Sequence, residues 1–240
     1  MDPTALNYNS EATIDNGSCD YAPITDLNIN FTQTVNGNLL IIDSMMYTNQ
    51  ANDNYSIQTV RYLISDISLH TDNGTSTLLD EVHFIDISIA SSLTLIIPEI
   101  ADENYTTISF TMGLNPSKNI TNLFVNENFF PSFSWPEPLG GGYHYMQLEG
   151  KFNTDTTFYN THTGGTDGID FSFNKAFPLT INRVNNIRDF YINMEITNWY
   201  QNPEIFNFTT DGIMGNPNSQ IILQANGIED VFSVYFSIID

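Results

Sequence analysis

The chain has 240 residues, of which 41% are hydrophobic and 13% aromatic, so it can bury a full core and is too apolar for a disordered protein. Six Lys and Arg stand against 28 Asp and Glu, giving a formal net charge of -22. Binding to the phosphates of nucleic acid or anionic lipid therefore lacks its electrostatic driving force. No apolar run approaches the ~18 residues that a membrane-spanning helix needs. Composition thus predicts one main folded domain.

The first 23 residues are polar and rich in turn-forming residues, and they end at Pro23. We expect residues 1–23 to form a small module or linker ahead of a domain that spans residues 24–240. The segment offers side-chain oxygens of the kind that calcium prefers, although their spacing is not that of an EF-hand loop. Asx turns are the alternative explanation for the same residues. The possible calcium ligands are Asp2, Asn7, Asn9 and Asp15.

Period-2 alternation of apolar and polar residues recurs along the rest of the chain and predicts half-buried β-strands. Clear examples are LNINFTQTV at 27–35 and TISFTMGL at 107–114. Other predicted strands are NLLIIDSMMY, TVRYLISDISL, VHFIDIS, LTLIIP, YHYMQLEGKF, GIDFSFN, DFYINMEITNW and VFSVYFSII. Turn signals such as TDNG and NPNS separate them, and short helical turns are expected near NITNLFVNENF and NPEIFNF. About ten strands without a long amphipathic helix predict an all-β fold, an antiparallel β-sandwich.

Motifs for common enzyme chemistry are absent from the sequence. There is no Gly-x-Ser-x-Gly elbow, no Gly-x-x-x-x-Gly-Lys loop and no His-Glu-x-x-His helix. Carboxylates are so numerous that no acid–base pair stands out. We therefore expect a protein that is not an enzyme; an enzyme acting on glycans is kept only because folds do not dictate functions.

Histidine is scarce, with four residues in the chain, and three of them are candidate metal ligands. His83 lies within a predicted strand, His144 alternates with two tyrosines after three glycines, and His162 precedes two glycines. Neutral imidazole favours copper, zinc and iron, and the thioether of Met146 would favour Cu(I). Trp135, in the same stretch as His144, is either a packed aromatic at the end of the sandwich or part of the site.

From about residue 27 to the C-terminus the chain resembles the MbnP-like family, the periplasmic copper-binding proteins associated with methanobactin. The matching segments, in order, are VRYLISDISL, EVHFIDIS, IIPEIADENYTTISFTMGLN, FSWPEPLGGGYHYMQLEG, FYNTHTGG and LQANGIEDVFSV. The family pattern Trp-x-Trp-x-x-Gly-Tyr is imperfect here, because Phe133 replaces the first tryptophan and PEPLGG lengthens the approach to Gly142. The family element Phe-x-x-His-x-Gly fits around His162 only with one extra residue.

The resemblance implies an extracytoplasmic copper-binding β-sandwich protein. In that family a partner di-haem protein of the cytochrome c peroxidase type can oxidise a tryptophan to kynurenine, which joins histidines at copper. The implied metal site contains Trp135, or its oxidised form, near His83 and His162, with His144 or Met146 as reserve ligands. This hypothesis expects His83 and His162 to converge.

Residues 1–21 resemble a short motif common in secreted proteins of the Bacteroidetes, without its opening cysteine. This resemblance, together with abundant Asn, Ser and Thr and scarce Lys, favours a periplasmic, outer-membrane surface or secreted location. No signal peptide is visible, so we interpret the chain as a mature fragment. A cysteine preceding Met1 would either pair with Cys19 or carry a lipid anchor, which would make the protein a lipoprotein.

An alternative function is a surface-anchored binding or structural module that keeps the fold but has lost the metal. It expects scattered histidines and a patch of exposed aromatic residues. The residues expected in that patch are Phe129, Phe130, Tyr143 and Tyr145.

Overall fold

The computed structural model describes residues 2–3, 5–14, 16–20, 24–101, 103–179, 187–209 and 212–238. These residues form twelve strands and one α-helix. The strands are β1 (Ile24–Val35), β2 (Asn38–Leu39), β3 (Tyr47–Thr48), β4 (Asn54–Thr71), β5 (Ser76–Asp86), β6 (Thr94–Ala101), β7 (Tyr105–Met112), β8 (His144–Phe152), β9 (Phe158–Gly164), β10 (Phe173–Pro178), β11 (Ile187–Glu195) and β12 (Phe232–Ile238). Helix α1 is Pro217–Asn226. Short 3-10 turns are Ala90–Leu93, Glu137–Leu139, Ile196–Tyr200 and Ile213–Gly215, and Gly227–Val231 continues α1 as a π-type turn.

Two sheets pack into a curled sandwich, so the all-β prediction is confirmed. The smaller sheet has five strands, with the order β12-β11-β1-β2 and β6 also pairing with β1. The larger has seven, with the order β10-β7-β4-β8-β9 and both β3 and β5 pairing with β4. One pair departs from the antiparallel expectation, because β1 runs parallel to β11. None of the described helices is long and apolar enough to cross a membrane.

Strand β4 organises the larger sheet. Its first half pairs with β8, from Tyr55 opposite Phe152 to Tyr62 opposite Met146. Its second half pairs with β7, and β5 pairs with β4 from Arg61 to His70. Alternating residues of β4 point to opposite faces, so one face joins the core between the sheets and the other is the outer face of the larger sheet.

Two hydrophobic clusters follow from this alternation. The main core lies between the sheets and includes Tyr62, Ile64 and Met146, all fully buried. A second cluster covers the outer face, where Leu63 packs with aromatic residues of the connection between β7 and β8. The candidate site lies at the edge of this second cluster.

Several local predictions were wrong. The predicted strand GIDFSFN at 168–174 overlaps β10 only at Phe173 and Asn174. The segment 38–47 was predicted as one strand, but it pairs only at β2 and β3. Leu39 and Ile41 are 74% and 52% exposed, and the Tyr47 hydroxyl bonds to both the N–H and the C=O of Ile41 in place of a neighbouring strand. The NPNS segment was read as a turn, yet Asn216 is the N-cap of α1.

Candidate metal centre

The pairing of β8 with β9 places His144 and His162 on one face. Met146 lies opposite Thr163 and His144 lies opposite Gly164, with a register shift between the two pairs. Paired residues share a face, as do alternate residues of one strand, so His144 lies on the same face as Gly164 and His162. The β-bulge at this position is what moves His144 away from the face of Met146. The two imidazole rings lie 5.1 Å apart between centroids, at 79°.

Trp135 completes this group. The segment that precedes β8 runs beside the start of that strand. The backbone N–H of Trp135 donates to Gly142 O at 2.9 Å, and the backbone N–H of His144 donates to Phe133 O at 2.8 Å. The centroid of the Trp135 ring lies 4.8 Å from that of His144, with the two rings edge to face. The centroid of the Phe133 ring lies 5.4 Å from that of His144. The structure therefore brings together three of the predicted site residues: Trp135, His144 and His162.

Gly164 allows Trp135 to lie this close. A Cβ atom at position 164 would fall 2.7 Å from two atoms of the Trp135 ring, Cδ2 and Cε3. Contacts that short do not occur between real carbon atoms, so a side chain at position 164 would displace the indole.

The surroundings of His144 keep its imidazole neutral. Its Nδ1 lies 3.2 Å from Phe133 O, and because a carbonyl only accepts hydrogen bonds, Nδ1 carries the hydrogen and Nε2 the lone pair. Burial, and secondarily the nearby His162, lower the pKa of His144 from 6.5 to about 4. His144 is thus uncharged at neutral pH, which is the state that binds metals.

His162 presents the opposite nitrogen. Its Nε2 lies 2.7 Å from Glu149 Oε1, and a carboxylate accepts, so Nε2 donates. The remaining nitrogen, Nδ1, is buried and has no hydrogen-bond partner in the described part of the chain. Leaving a buried polar atom unpartnered costs about 1–3 kcal/mol, so a partner for this nitrogen would stabilise the site.

Trp135 Nε1 is also buried without a partner among the described residues. Trp199 Nε1 and Tyr55 Oη share this property within the main core, so an orphaned indole does not by itself mark a site. The imidazole of His162 differs because Nδ1 of a neutral ring, with Nε2 protonated, is a lone-pair donor for a metal ion.

His83 lies elsewhere. It stacks on Phe31 at 4.8 Å, its Nε2 lies 2.8 Å from Ser92 O, and its Nδ1 lies 3.6 Å from Asp80 Oδ2. Strands β8 and β4 separate its strand, β5, from β9. Three strand spacings amount to about 14 Å. The structure therefore does not bring His83 and His162 together as expected, and His83 serves to join β5 to β1 and to the turn at Ser92.

Met146 does not reach the histidine pair either. It is fully buried in the main core, on the face opposite His162. Its thioether packs between the sheets.

The expected patch of exposed aromatic residues is also wrong. Phe129, Tyr143 and Tyr145 are at most 2% exposed, and Phe130 is partly buried against them. They form the second hydrophobic cluster. The Tyr143 hydroxyl accepts a hydrogen bond from Phe124 N, and the Tyr145 hydroxyl donates to Asp170.

Two of the candidate calcium ligands use their side chains in hydrogen bonds within the N-terminal segment: Asn9 forms an Asx turn, and Asn7 bonds to more distant residues of the segment. The Asn7 side chain bonds to Ser18 O and to Asp20 N, and Asn9 Oδ1 accepts from Glu11 N. Asp2 lines a cavity together with Asn7 and Asn9. Asp15 lies outside the described residues.

No group of three or more His, Cys, Asp or Glu side chains placed to hold a metal occurs among the described residues. The candidate site therefore contains two imidazoles, in a setting rich in aromatic rings. Glu149 was not among the residues predicted from the sequence. Alternation along β8 places its side chain on the same face as that of Gln147, two residues earlier.

Comparison with known proteins agrees with this architecture. The MbnP family model matches residues 24–217. This chain belongs to the MbnP family. Among solved structures, MbnP from Methylosinus trichosporium superposes with a TM-score of 0.62 at 11% identity, covering 90% of this chain and 99% of that chain. At that identity the likeness shows a shared fold. No curated protein matches the sequence. The predicted resemblance to the MbnP family is confirmed.

Proposed function

We propose that this protein is an extracytoplasmic copper-binding protein that holds the metal between His144 Nε2 and His162 Nδ1 without catalytic turnover. The observation that carries the proposal is the buried, unpartnered Nδ1 of His162, whose ring lies 5.1 Å from that of His144. That separation suits two imidazoles that share one ion, since each metal–nitrogen bond is about 2 Å long. Membership of the MbnP family supports the assignment of copper.

The ligand set favours Cu(I) over zinc. Structural zinc sites take four ligands, commonly including cysteine or carboxylate. The described residues near the pair provide no third group of that kind, and Glu149 is already engaged with His162. Two neutral imidazoles in a largely buried aromatic pocket suit a soft, low-coordinate ion.

Trp135 is 2% exposed and its ring lies edge-on against His144, so it covers that side of the proposed site. We further propose that Trp135 is the residue open to oxidation, since it lies against His144 whereas Phe133 has no indole to oxidise. The oxidised form would add a donor to the two imidazoles, and a di-haem protein of the cytochrome c peroxidase type would be the oxidising partner. Intact-mass and peptide-mass analysis of protein from its native host tests this modification.

The alternative of a module without metal receives less support. It expects scattered histidines, whereas His144 and His162 lie side by side with complementary nitrogens available. It also expects a patch of exposed aromatic residues, whereas the residues predicted for that patch are buried or partly buried.

The test is a Cu(I) titration in competition with a chromophoric chelator. We expect one copper per chain, and a loss of affinity of at least about 100-fold in His144→Ala and in His162→Ala, because each removes one of two ligands. His83→Ala is the matched control and retains wild-type affinity. Wild-type binding by both His144→Ala and His162→Ala, or a loss confined to His83→Ala, would refute the site.

A further inference from the structure

Glu149 is tied to His162 by the geometry of the sheet. Glu149 pairs with Asn160 across β8 and β9, which makes His162 its diagonal neighbour on the same face. The Oε1–Nε2 distance of 2.7 Å is that of a strong, charge-assisted hydrogen bond. The Glu149 side chain is about one third exposed, so it is partly shielded from water.

Polar side chains of the neighbouring strand flank Glu149. Thr59 lies directly opposite it on β4, and Arg61 lies two residues further along the same face. Arg61 is itself fixed, because its Nε donates to Asp86 Oδ2 at 2.8 Å. A row of polar side chains across three strands therefore supports the Glu149 carboxylate.

An ionised carboxylate determines which nitrogen of His162 is free. It has no hydrogen to donate, so it accepts the Nε2–H and leaves the lone pair of a neutral ring on Nδ1. His144 has the reverse arrangement, because Phe133 O accepts from Nδ1. The two rings thus offer different nitrogens, and each is oriented by an acceptor outside the metal site.

We infer that Glu149 is a positioning residue of the metal centre: it holds the His162 ring and its tautomer so that Nδ1 is the metal-binding atom. The inference rests on the proposed copper site. Such outer-shell acceptors orient a ligand and raise its basicity, and their loss typically costs about 10- to 100-fold in metal affinity.

The test compares Glu149→Leu, Glu149→Gln and, as a control that removes the same charge from the same sheet, Glu81→Gln at an exposed position. Histidine is labelled with ¹⁵N, and long-range ¹H–¹⁵N spectra are recorded on metal-free and Cu(I)-loaded protein. We expect wild type and Glu149→Gln, which keeps an acceptor oxygen, to show His162 protonated at Nε2 and copper at Nδ1. Glu149→Leu should lose the single tautomer and weaken Cu(I) binding by about 10- to 100-fold.

A Glu149→Leu variant that keeps the wild-type His162 spectrum and binds Cu(I) within about twofold, like Glu81→Gln, would overturn the inference. Glu149→Gln is nearly isosteric with wild type. The inference would also be overturned if folded Glu149→Gln changed the His162 spectrum while Glu149→Leu kept the wild-type spectrum. Failure of the copper site itself has a different signature, since His162→Ala would then leave Cu(I) affinity unchanged. The metal-free spectra still decide whether Glu149 sets the tautomer.

Discussion

Acidification should destabilise the metal-free protein through His144. Its pKa is lowered from 6.5 to about 4 in the folded state, chiefly by burial. Between these values the unfolded chain takes up a proton that the folded chain refuses, so stability falls as the pH falls. At about 1.4 kcal/mol per pH unit, this contribution amounts to roughly 3 kcal/mol between pH 7 and pH 4. The residue is 6% exposed, so solvent screening removes little of it.

The assay is urea unfolding of chelator-treated protein at several values between pH 7 and pH 4, followed by tryptophan fluorescence. His144→Phe keeps an aromatic ring beside Trp135 but does not titrate, so its free energy of unfolding should decline less than that of wild type by roughly 3 kcal/mol over this range. Carboxylates are present in both proteins, so their contributions largely cancel in the difference. Parallel stability profiles for the two proteins would refute the reasoning.

Two further substitutions test how the site is built. Gly164→Ala should destabilise the protein by about 1–3 kcal/mol and change the fluorescence of Trp135, because the new Cβ would lie 2.7 Å from the indole. Gly215→Ala is the control, since its Cβ would meet only Leu139 at 3.4 Å, and it should leave stability nearly unchanged. Gln220→Ala should cost about 2–4 kcal/mol in urea unfolding, because the fully buried Gln220 bonds to Gly164 N, His162 O and Ile213 O. Gln224→Ala, one turn along α1 with a single bond to Ser172 O, should cost about 1 kcal/mol. Equal stabilities within either pair would contradict the role assigned to Gly164 or Gln220.

Alternation predicted most of the strands because each has one face in a core. Leu27, Ile29 and Phe31 of β1 are at most 2% exposed, as their spacing predicts. The segment 38–47 is an exception. Its apolar residues form a continuous run without alternation, and nothing local shows that no neighbouring strand is available to pair with it.

The helix α1 had a local signal that was misread. Asn216 accepts from the N–H groups of Asn218 and Ser219, and Pro217 occupies the first helical position. Asparagine followed by proline is typical of a helix start as well as of a turn. The parallel pairing of β1 with β11 had no such signal, because it joins residues about 160 positions apart and depends on how the two sheets close.

The sequence drew attention to the right residues of the site but paired them incorrectly. Trp135, His144 and His162 were all candidates, yet period-2 alternation along β8 places His144 on the same face as Met146, towards the main core. The register shift opposite Thr163 and Gly164 breaks that alternation, so that His144 joins His162 on the outer face while Met146 stays in the core. A single bulge therefore decides which side chains can share a metal ion. Because a bulge depends on pairing between strands, it is a property of the folded sheet that no inspection of β8 alone would reveal.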